Sequence, residues 1–354
     1  MRVVLDMQDR RSIWAMPSWV PDRIRDALPP GWSLQVIEEP ADGSGDGAAR
    51  ISPAVRAAVA DAGAYLGFGI PEDVLVSGHR LVWVHTGSAG VGSSLTPELL
   101  RRRELVFTNS AGIHAAPMAE TVLGMILHFT RGLDLALAGQ ARGEWVQERF
   151  WEPDAPLVEL SSATVGIVGF GGIGSEVGRR VAAFGARVVG LVRRPRAGGV
   201  AELTAVGTGV RLGTAELVHG DYGLRRLLAD ADVAVLAAPD TPATRGMIDR
   251  AALAGMRKGA VLINVSRGKI LDEDALVDAL REGRIRGAGL DVFRSEPLPA
   301  GHALWTAPNV LLTPHVSAVT RAFWEREAEL ILANLASLAA GEPLRNVVDR
   351  AAGY

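Results

Sequence analysis

The sequence predicts an α/β fold built from two doubly wound parallel-sheet domains. Three observations carry that expectation. Short apolar runs of strand length alternate with helical stretches in both halves of the chain. A glycine-rich turn, Gly169-Phe170-Gly171-Gly172-Ile173-Gly174, follows a β-branched run and opens a helical pattern. The length, 354 residues, exceeds what one hydrophobic core usually fills.

Taken in order, "MRVVLDM", "WSLQVIEE", "AYLGFG" and "LVWVHTG" read as strands, with helical segments such as "SPAVRAAVADAG" between them. The stretch "ADGSGDG" at 41–47 reads as a surface loop within this layer. From Pro117, "PMAETVLGMILHFTRGLDLALAGQARGEW" predicts one long helix, a spine between domains. A second series follows: "ATVGIVGFGGIGSEVGRRVAAFG", then strands "ARVVGLV", "DVAVLAAP", "AVLINVS", "IRGAGLDVF" and "VLLTPH", separated by helices such as "DYGLRRLLADA" and "DEDALVDALREG". The Gly-, Ala- and Thr-rich span 197–220 reads as an enlarged surface excursion without chemistry. A helix, "RAFWEREAELILANLASLAAG", and a short tail close the chain.

Composition narrows the function. A net charge of -3 provides no broad field for polyanions, so neither nucleic acid nor membrane binding through bulk charge is expected. Lys258 and Lys269 are the lysines among 37 basic residues, which favours guanidinium recognition of carboxylate or phosphate over lysine chemistry. The absence of cysteine removes disulfides, thiolate nucleophiles and cysteine-bound metals, and no metal is expected at the site. Charges interrupt the N-terminal apolar run early, and no apolar span has transmembrane length. A cytoplasmic location is the expectation.

The glycine turn has a physical role at each position. Gly169 permits the tight turn, Gly171 lets the backbone approach a pyrophosphate beside Gly172 and Ile173, and Gly174 lets the helix lie close on the strand. Ile173, Val177, Val181 and Phe184 fall on one helix face, and Gly185 sits where a cap is needed. A dinucleotide fold normally places an acid about twenty residues later to bind the adenosine ribose. Here Val192 and Arg193 occupy that place, followed by Arg194 and Arg196. The missing acid and the arginines predict NADP(H) preferred over NAD(H), with Arg193 and Arg194 on the 2′-phosphate. The competing reading leaves those arginines in water and Val192 merely permissive.

Three further stretches complete a pattern: "INVSRGKILDEDAL" with Arg267, "GLDVFRSEPLP" with Asp291 and Glu296, and "VLLTPHVSAVT" with His315. Together with the glycine turn, "SAGVG", "NSAGIHAAPMAET" and "APDTPATRGMI", their order resembles the D-isomer-specific 2-hydroxyacid dehydrogenase family over nearly the whole chain. The look is that of its glyoxylate/hydroxypyruvate reductase branch. Formate dehydrogenase is similar in architecture but has Gln in the place of Glu296.

That resemblance implies a Rossmann cofactor domain at 114–317 inserted in a flavodoxin-like substrate domain at 1–113 and 318–354. It implies Arg267 on the substrate carboxylate and carbonyl oxygen, Glu296 orienting the histidine, and His315 as general acid/base. Backbone N–H groups of the Ser88-Ala89-Gly90 turn take the substrate carboxylate, although Gly92 stands where the commoner family form has Asp or Asn. Pro239 lines the cofactor, and Asp291 binds the nicotinamide carboxamide or serves as a cap or ion-pair partner. Trp151 resembles an aromatic that reaches a neighbouring subunit's active site in some reductases; burial at an interface is the other reading. Trp83, Trp324 and Met118 read as packing residues.

The expected activity is NAD(P)H-dependent reduction of a small 2-oxoacid, such as glyoxylate or hydroxypyruvate, to the D-2-hydroxyacid by a homodimer paired through the crossover helix and the "RGEW…FWEP" region. The alternatives are a dehydrogenase for larger aliphatic or aromatic substrates, and a dinucleotide-sensing binding protein of corepressor type.

Overall fold

The computed structural model of the protein describes residues 1–40 and 50–353; the 41–47 loop lies outside the described residues. The chain divides into two compact units, Met1–His114 with Val319–Tyr354, and Ala115–Ala318.

The first unit runs β1 (Arg2–Asp6), α1 (Trp19–Ala27), β2 (Ser33–Val36), α2 (Pro53–Val59), β3 (Ala64–Gly67), α3 (Glu72–Ser77), β4 (Trp83–Thr86), α4 (Pro97–Arg101) and β5 (Val106–Asn109). The strands pair in parallel in the order β2-β1-β3-β4-β5, the flavodoxin-like winding. Alternate residues serve opposite faces. Val4, Tyr65, Val84 and Phe107 bury against Val55, Val59, Val74 and Leu75, while Val3, Leu5, Leu66 and Trp83 bury against Val20, Ile24 and the closing helix Phe323–Ala340. The strand "VFTN" of β5 was not among the runs read from sequence. Only Val and Phe mark it as apolar, and pairing with β4 is what makes it a strand.

The second unit runs α5 (Ala115–Thr130), α6 (Leu133–Arg142), β6 (Thr164–Val168), α7 (Gly172–Ala183), β7 (Arg187–Val192), β8 (Val200–Thr204), β9 (Arg211–His219), α8 (Gly220–Asp230), β10 (Val233–Leu236), α9 (Arg250–Gly255), β11 (Val261–Asn264), α10 (Glu273–Arg281), β12 (Gly287–Leu290) and β13 (Val310–Leu312); α11 (Phe323–Ala340) then belongs to the first unit. The sheet order is β13-β12-β11-β10-β6-β7-β9-β8, whose central part β9-β7-β6-β10-β11-β12 is the Rossmann winding. Every pairing is parallel except β8 with β9.

Three expectations are corrected here. The single helix from Pro117 is two, bent by 71° between α5 and α6, because Gly132 adopts φ +68° and ends one helix as it starts the next. The span 197–220 is no idle excursion: β9 is the third strand of the dinucleotide winding, paired with β7 from Val188↔Ala215 to Val192↔His219, and β8 folds back on it as an antiparallel edge. Phe184 does not share the buried face of α7. It lies past the last helical residue and is half exposed, whereas Val177 and Val181 are buried. Among the described residues, no single helix is long and apolar enough to cross a membrane.

Two glycines of the turn differ in what surrounds them. A Cβ on Gly174 would lie 2.1 Å from the carbonyl oxygen of Gly169, but one on Gly171 would meet nothing within 4 Å. Gly174→Ala is therefore expected to destabilise the protein by about 1–3 kcal/mol through overpacking, while Gly171→Ala leaves the denaturation midpoint near wild type. Equal midpoints for the two variants in urea unfolding would refute this account of the turn.

Candidate functional site

The glycine turn joins β6 to α7 at the C-terminal edge of the second sheet. Gly169 adopts φ +98°, and a Cβ there would strike the Ala238 backbone at 2.6 Å, so this position needs glycine twice over. No side chain caps the first turn of α7, which leaves the N–H groups of Gly172 and Ile173 open beside the exposed Gly171. A closed, glycine-tight base under an open run of N–H donors fits a dinucleotide pyrophosphate. Arg193 and Arg194 are exposed directly after β7, and Pro239 is exposed three residues after the end of β10, with its carbonyl accepting from Thr244 Oγ1 at 2.6 Å. Arg196 donates from Nη2 to the Phe170 carbonyl at 3.2 Å.

The catalytic candidates occupy neighbouring strand ends in the same unit. Register aligns Asn264 of β11 with Leu290 of β12, and Leu290 with Leu312 of β13. Arg267, Asp291 and His315 follow those ends by one to three residues. His315 adopts φ +55°, an uncommon conformation for a side chain other than glycine. Its Nδ1 meets Glu296 Oε2 at 2.7 Å, and Glu296 Oε1 accepts from the Phe293 N–H at 2.9 Å. The carboxylate is thus fixed by one oxygen and orients the imidazole by the other.

Asp291 is fully buried. Its Oδ1 accepts from Thr313 Oγ1 (2.6 Å) and from the Val316 N–H (2.9 Å), and its Oδ2 accepts from the Ser317 N–H (3.0 Å). These bonds grip the loop on both sides of His315, the cap-like alternative named for this residue. Arg267 is exposed and uses one donor on the Ser266 carbonyl at 2.7 Å. Its backbone is set by Asn264, whose Nδ2 donates to the Arg267 carbonyl (3.3 Å) while its Oδ1 accepts from Ser266 N–H and Oγ. Gly268 then passes so close to Phe293 that a Cβ would lie 1.9 Å from its carbonyl carbon.

In the first unit, Ser88, Ala89 and Gly90 follow β4 by way of Gly87. Ser88 Oγ donates to the Phe68 carbonyl (3.0 Å), the Ser88 carbonyl accepts from the Ser110 N–H (3.3 Å), and the Ala89 carbonyl accepts from Asn109 Nδ2 (2.9 Å). With both carbonyls held, the trans peptides direct the N–H groups of Ala89 and Gly90 the other way, and among the described residues neither has a protein acceptor. Asn109 and Ser110 therefore supply the order that Gly92 does not. Behind them His85 is fully buried, with Nδ1 2.8 Å from Thr108 Oγ1 and Nε2 2.8 Å from Glu327 Oε1.

Sequence reading missed Asn264, Asn109 and Thr313. The one available signal was position: each is a short polar residue at or just after the end of a strand. Trp151 is 69% exposed and Trp145 89% exposed, whereas Trp83, Trp324 and Met118 are buried as expected.

Comparisons with known proteins identify the family. Residues 123–317 match the family model of the D-isomer specific 2-hydroxyacid dehydrogenase, NAD binding domain. D-3-phosphoglycerate dehydrogenase of Methanocaldococcus jannaschii is 33% identical over 284 residues, 80% of this chain, but the chain spans about half the length of that relative. Glyoxylate reductase of Pyrococcus furiosus is 33% identical over 284 residues, 79% of this chain and 80% of the relative. Among solved structures, the NADPH-dependent glyoxylate/hydroxypyruvate reductase of Sinorhizobium meliloti, in complex with NADP and sulfate, is similar with a TM-score of 0.74 and 27% identity, covering 100% of this chain and 99% of that one. The chain belongs to the D-isomer specific 2-hydroxyacid dehydrogenases, a family of NAD(P)-dependent oxidoreductases.

Proposed function

We propose that the protein reduces a small 2-oxoacid, glyoxylate or hydroxypyruvate, to the D-2-hydroxyacid with NADPH. The observation that carries this reading is the His315–Glu296 pair, placed one strand end away from Asp291 and two from Arg267. When bound, the nicotinamide supplies hydride. The chain's own residues handle charge and protons. Glu296 accepts from Nδ1, so Nε2 of His315 is the atom that gives its proton to the substrate oxygen, and it takes that proton back in the oxidative direction. Arg267 supplies a fixed positive charge to the carboxylate and to the oxygen on which negative charge develops. In the first unit, the open N–H groups of Ala89 and Gly90 are carboxylate donors in this reading. Gly171, Gly172 and Ile173 take the pyrophosphate, Arg193 and Arg194 the 2′-phosphate, and Pro239 lies along the cofactor. Asp291 holds the His315 loop and keeps accepting capacity for the carboxamide. Names of relatives support the substrate class, because the Pyrococcus protein is a glyoxylate reductase and the Sinorhizobium one reduces glyoxylate or hydroxypyruvate with NADPH.

A second copy of the chain completes the reading. Leu133 and Leu137 on α6 and Trp145 and Trp151 beyond it are all about half exposed or more, a large apolar outlay for a surface helix and its following loop. The homodimer covers them, and the enzyme works in the cytoplasm.

A screen of glyoxylate, hydroxypyruvate, pyruvate and phenylpyruvate, each with NADPH and NADH, tests the reaction by nicotinamide absorbance. Turnover is expected with the first two, and its absence with all four would defeat the proposal. His315→Ala is expected to lower kcat by about 100-fold or more with the fold intact, and Arg267→Ala to do likewise; near-normal rates in either would refute its role. Arg193→Ala is expected to lower the NADPH-to-NADH ratio of kcat/KM by about tenfold, and an unchanged ratio would remove the 2′-phosphate contact. Solution scattering should return the mass of a dimer, and a monomeric mass at micromolar concentration would count against the paired helix.

A further inference from the structure

We infer that Arg196 is a positioning residue that ties the loop after β7 to the glycine turn, so that the two cofactor-binding segments behave as one body. The inference rests on the dinucleotide reading proposed above. Phe170, the second residue of the turn, is 4% exposed and is held at every polar and apolar point it has. Its N–H donates to the Leu191 carbonyl at 3.0 Å, an acceptor it shares with the Gly169 N–H at 3.1 Å. Its ring covers Gly190 of β7 and Gly178 of α7, where Cβ atoms would lie 2.4 and 3.1 Å from ring carbons. Its carbonyl would otherwise be the unanswered group, and Arg196 Nη2 donates to it at 3.2 Å.

That bond has two consequences. The Phe170–Gly171 peptide is trans, so a carbonyl held toward Arg196 turns the Gly171 N–H to the opposite side and fixes the plane on which α7 begins. A carbonyl dipole left free beside a bound diphosphate would repel it; a guanidinium on that carbonyl removes the repulsion. Pro195 fixes its own φ, and Arg196 follows it in an extended conformation, φ -109° and ψ 144°. The arginines after β7 thus divide their work: Arg193 and Arg194 are those assigned to the 2′-phosphate in the proposed function, and Arg196 braces the turn that every dinucleotide, phosphorylated or not, must use.

Cofactor binding to the intact protein separates these roles. The dissociation constants of NADPH and NADH, measured by nicotinamide fluorescence, are both expected to rise in Arg196→Ala by a similar factor, about threefold to tenfold, with their ratio held within about twofold. Arg196→Lys, which keeps a donor, should recover part of both affinities, and the melting temperature should stay near wild type because the side chain is exposed. A loss confined to one cofactor would make Arg196 a ligand and overturn the inference. Wild-type affinity for both would also overturn it. Arg193→Ala in the same titration reports on the 2′-phosphate reading alone: an unchanged ratio there removes that reading and leaves an equal double loss in Arg196→Ala as evidence for the brace.

Discussion

Parallel strands buried on both faces have nowhere to display chemistry except at their ends, and the register of β11, β12 and β13 decides which residues meet there. Asn264, Leu290 and Leu312 are laterally paired, so the segments that follow them leave the sheet along one edge. One buried carboxylate then converts that edge into a fixed arrangement. Asp291 accepts three hydrogen bonds from residues 313, 316 and 317, and it is the local reason that His315 keeps a left-handed backbone. Such a conformation persists only where the surroundings over-determine it.

The same device recurs at other strand ends. Asn264 closes the turn carrying Arg267, and Asn109 holds the Ala89 carbonyl beside the Ser88–Gly90 turn. In each case a short side chain with defined donors or acceptors binds main chain two or more residues away and sets a loop's direction. Asn109 is oriented by both of its ends, since Nδ2 donates to Ala89 while Oδ1 accepts from the Ala111 N–H at 3.2 Å. The long side chain of Arg267 is left exposed, while the backbone beneath it is held by the short side chain of Asn264.

This division of labour explains what the sequence made legible. The glycine turn could be read because its spacing is distinctive, and Gly169 and Gly174 show the blocked Cβ directions that the motif implies, while Gly171 faces open space. Arg267, Glu296 and His315 could be read because their chemistry is distinctive and their order matches a family. Asn109, Asn264 and Thr313 carry no such mark. An Asn after a strand is an ordinary turn residue until register shows which carbonyl lies beside it.

The missed elements share a physical cause as well. β5 contributes only two apolar residues of four, and β9 begins in a stretch of Gly, Thr and Arg whose local preference points away from strand. Both are made by their neighbours: β5 by β4, and β9 by pairing with β7 along five residues. Missing β9 hid more than a strand. Val192, the residue standing where an acid would bind ribose, is paired with His219 at the last rung of that ladder. The corner reached by the adenosine end of the cofactor in the proposed function is therefore bordered by two strands, whose last paired residues lie 27 positions apart along the chain, a relation that no local reading of the arginine cluster reveals. The cluster Arg193, Arg194 and Arg196 looks uniform along the chain, but the turn beneath it sets Arg196 apart, whose Nη2 donates to the Phe170 carbonyl.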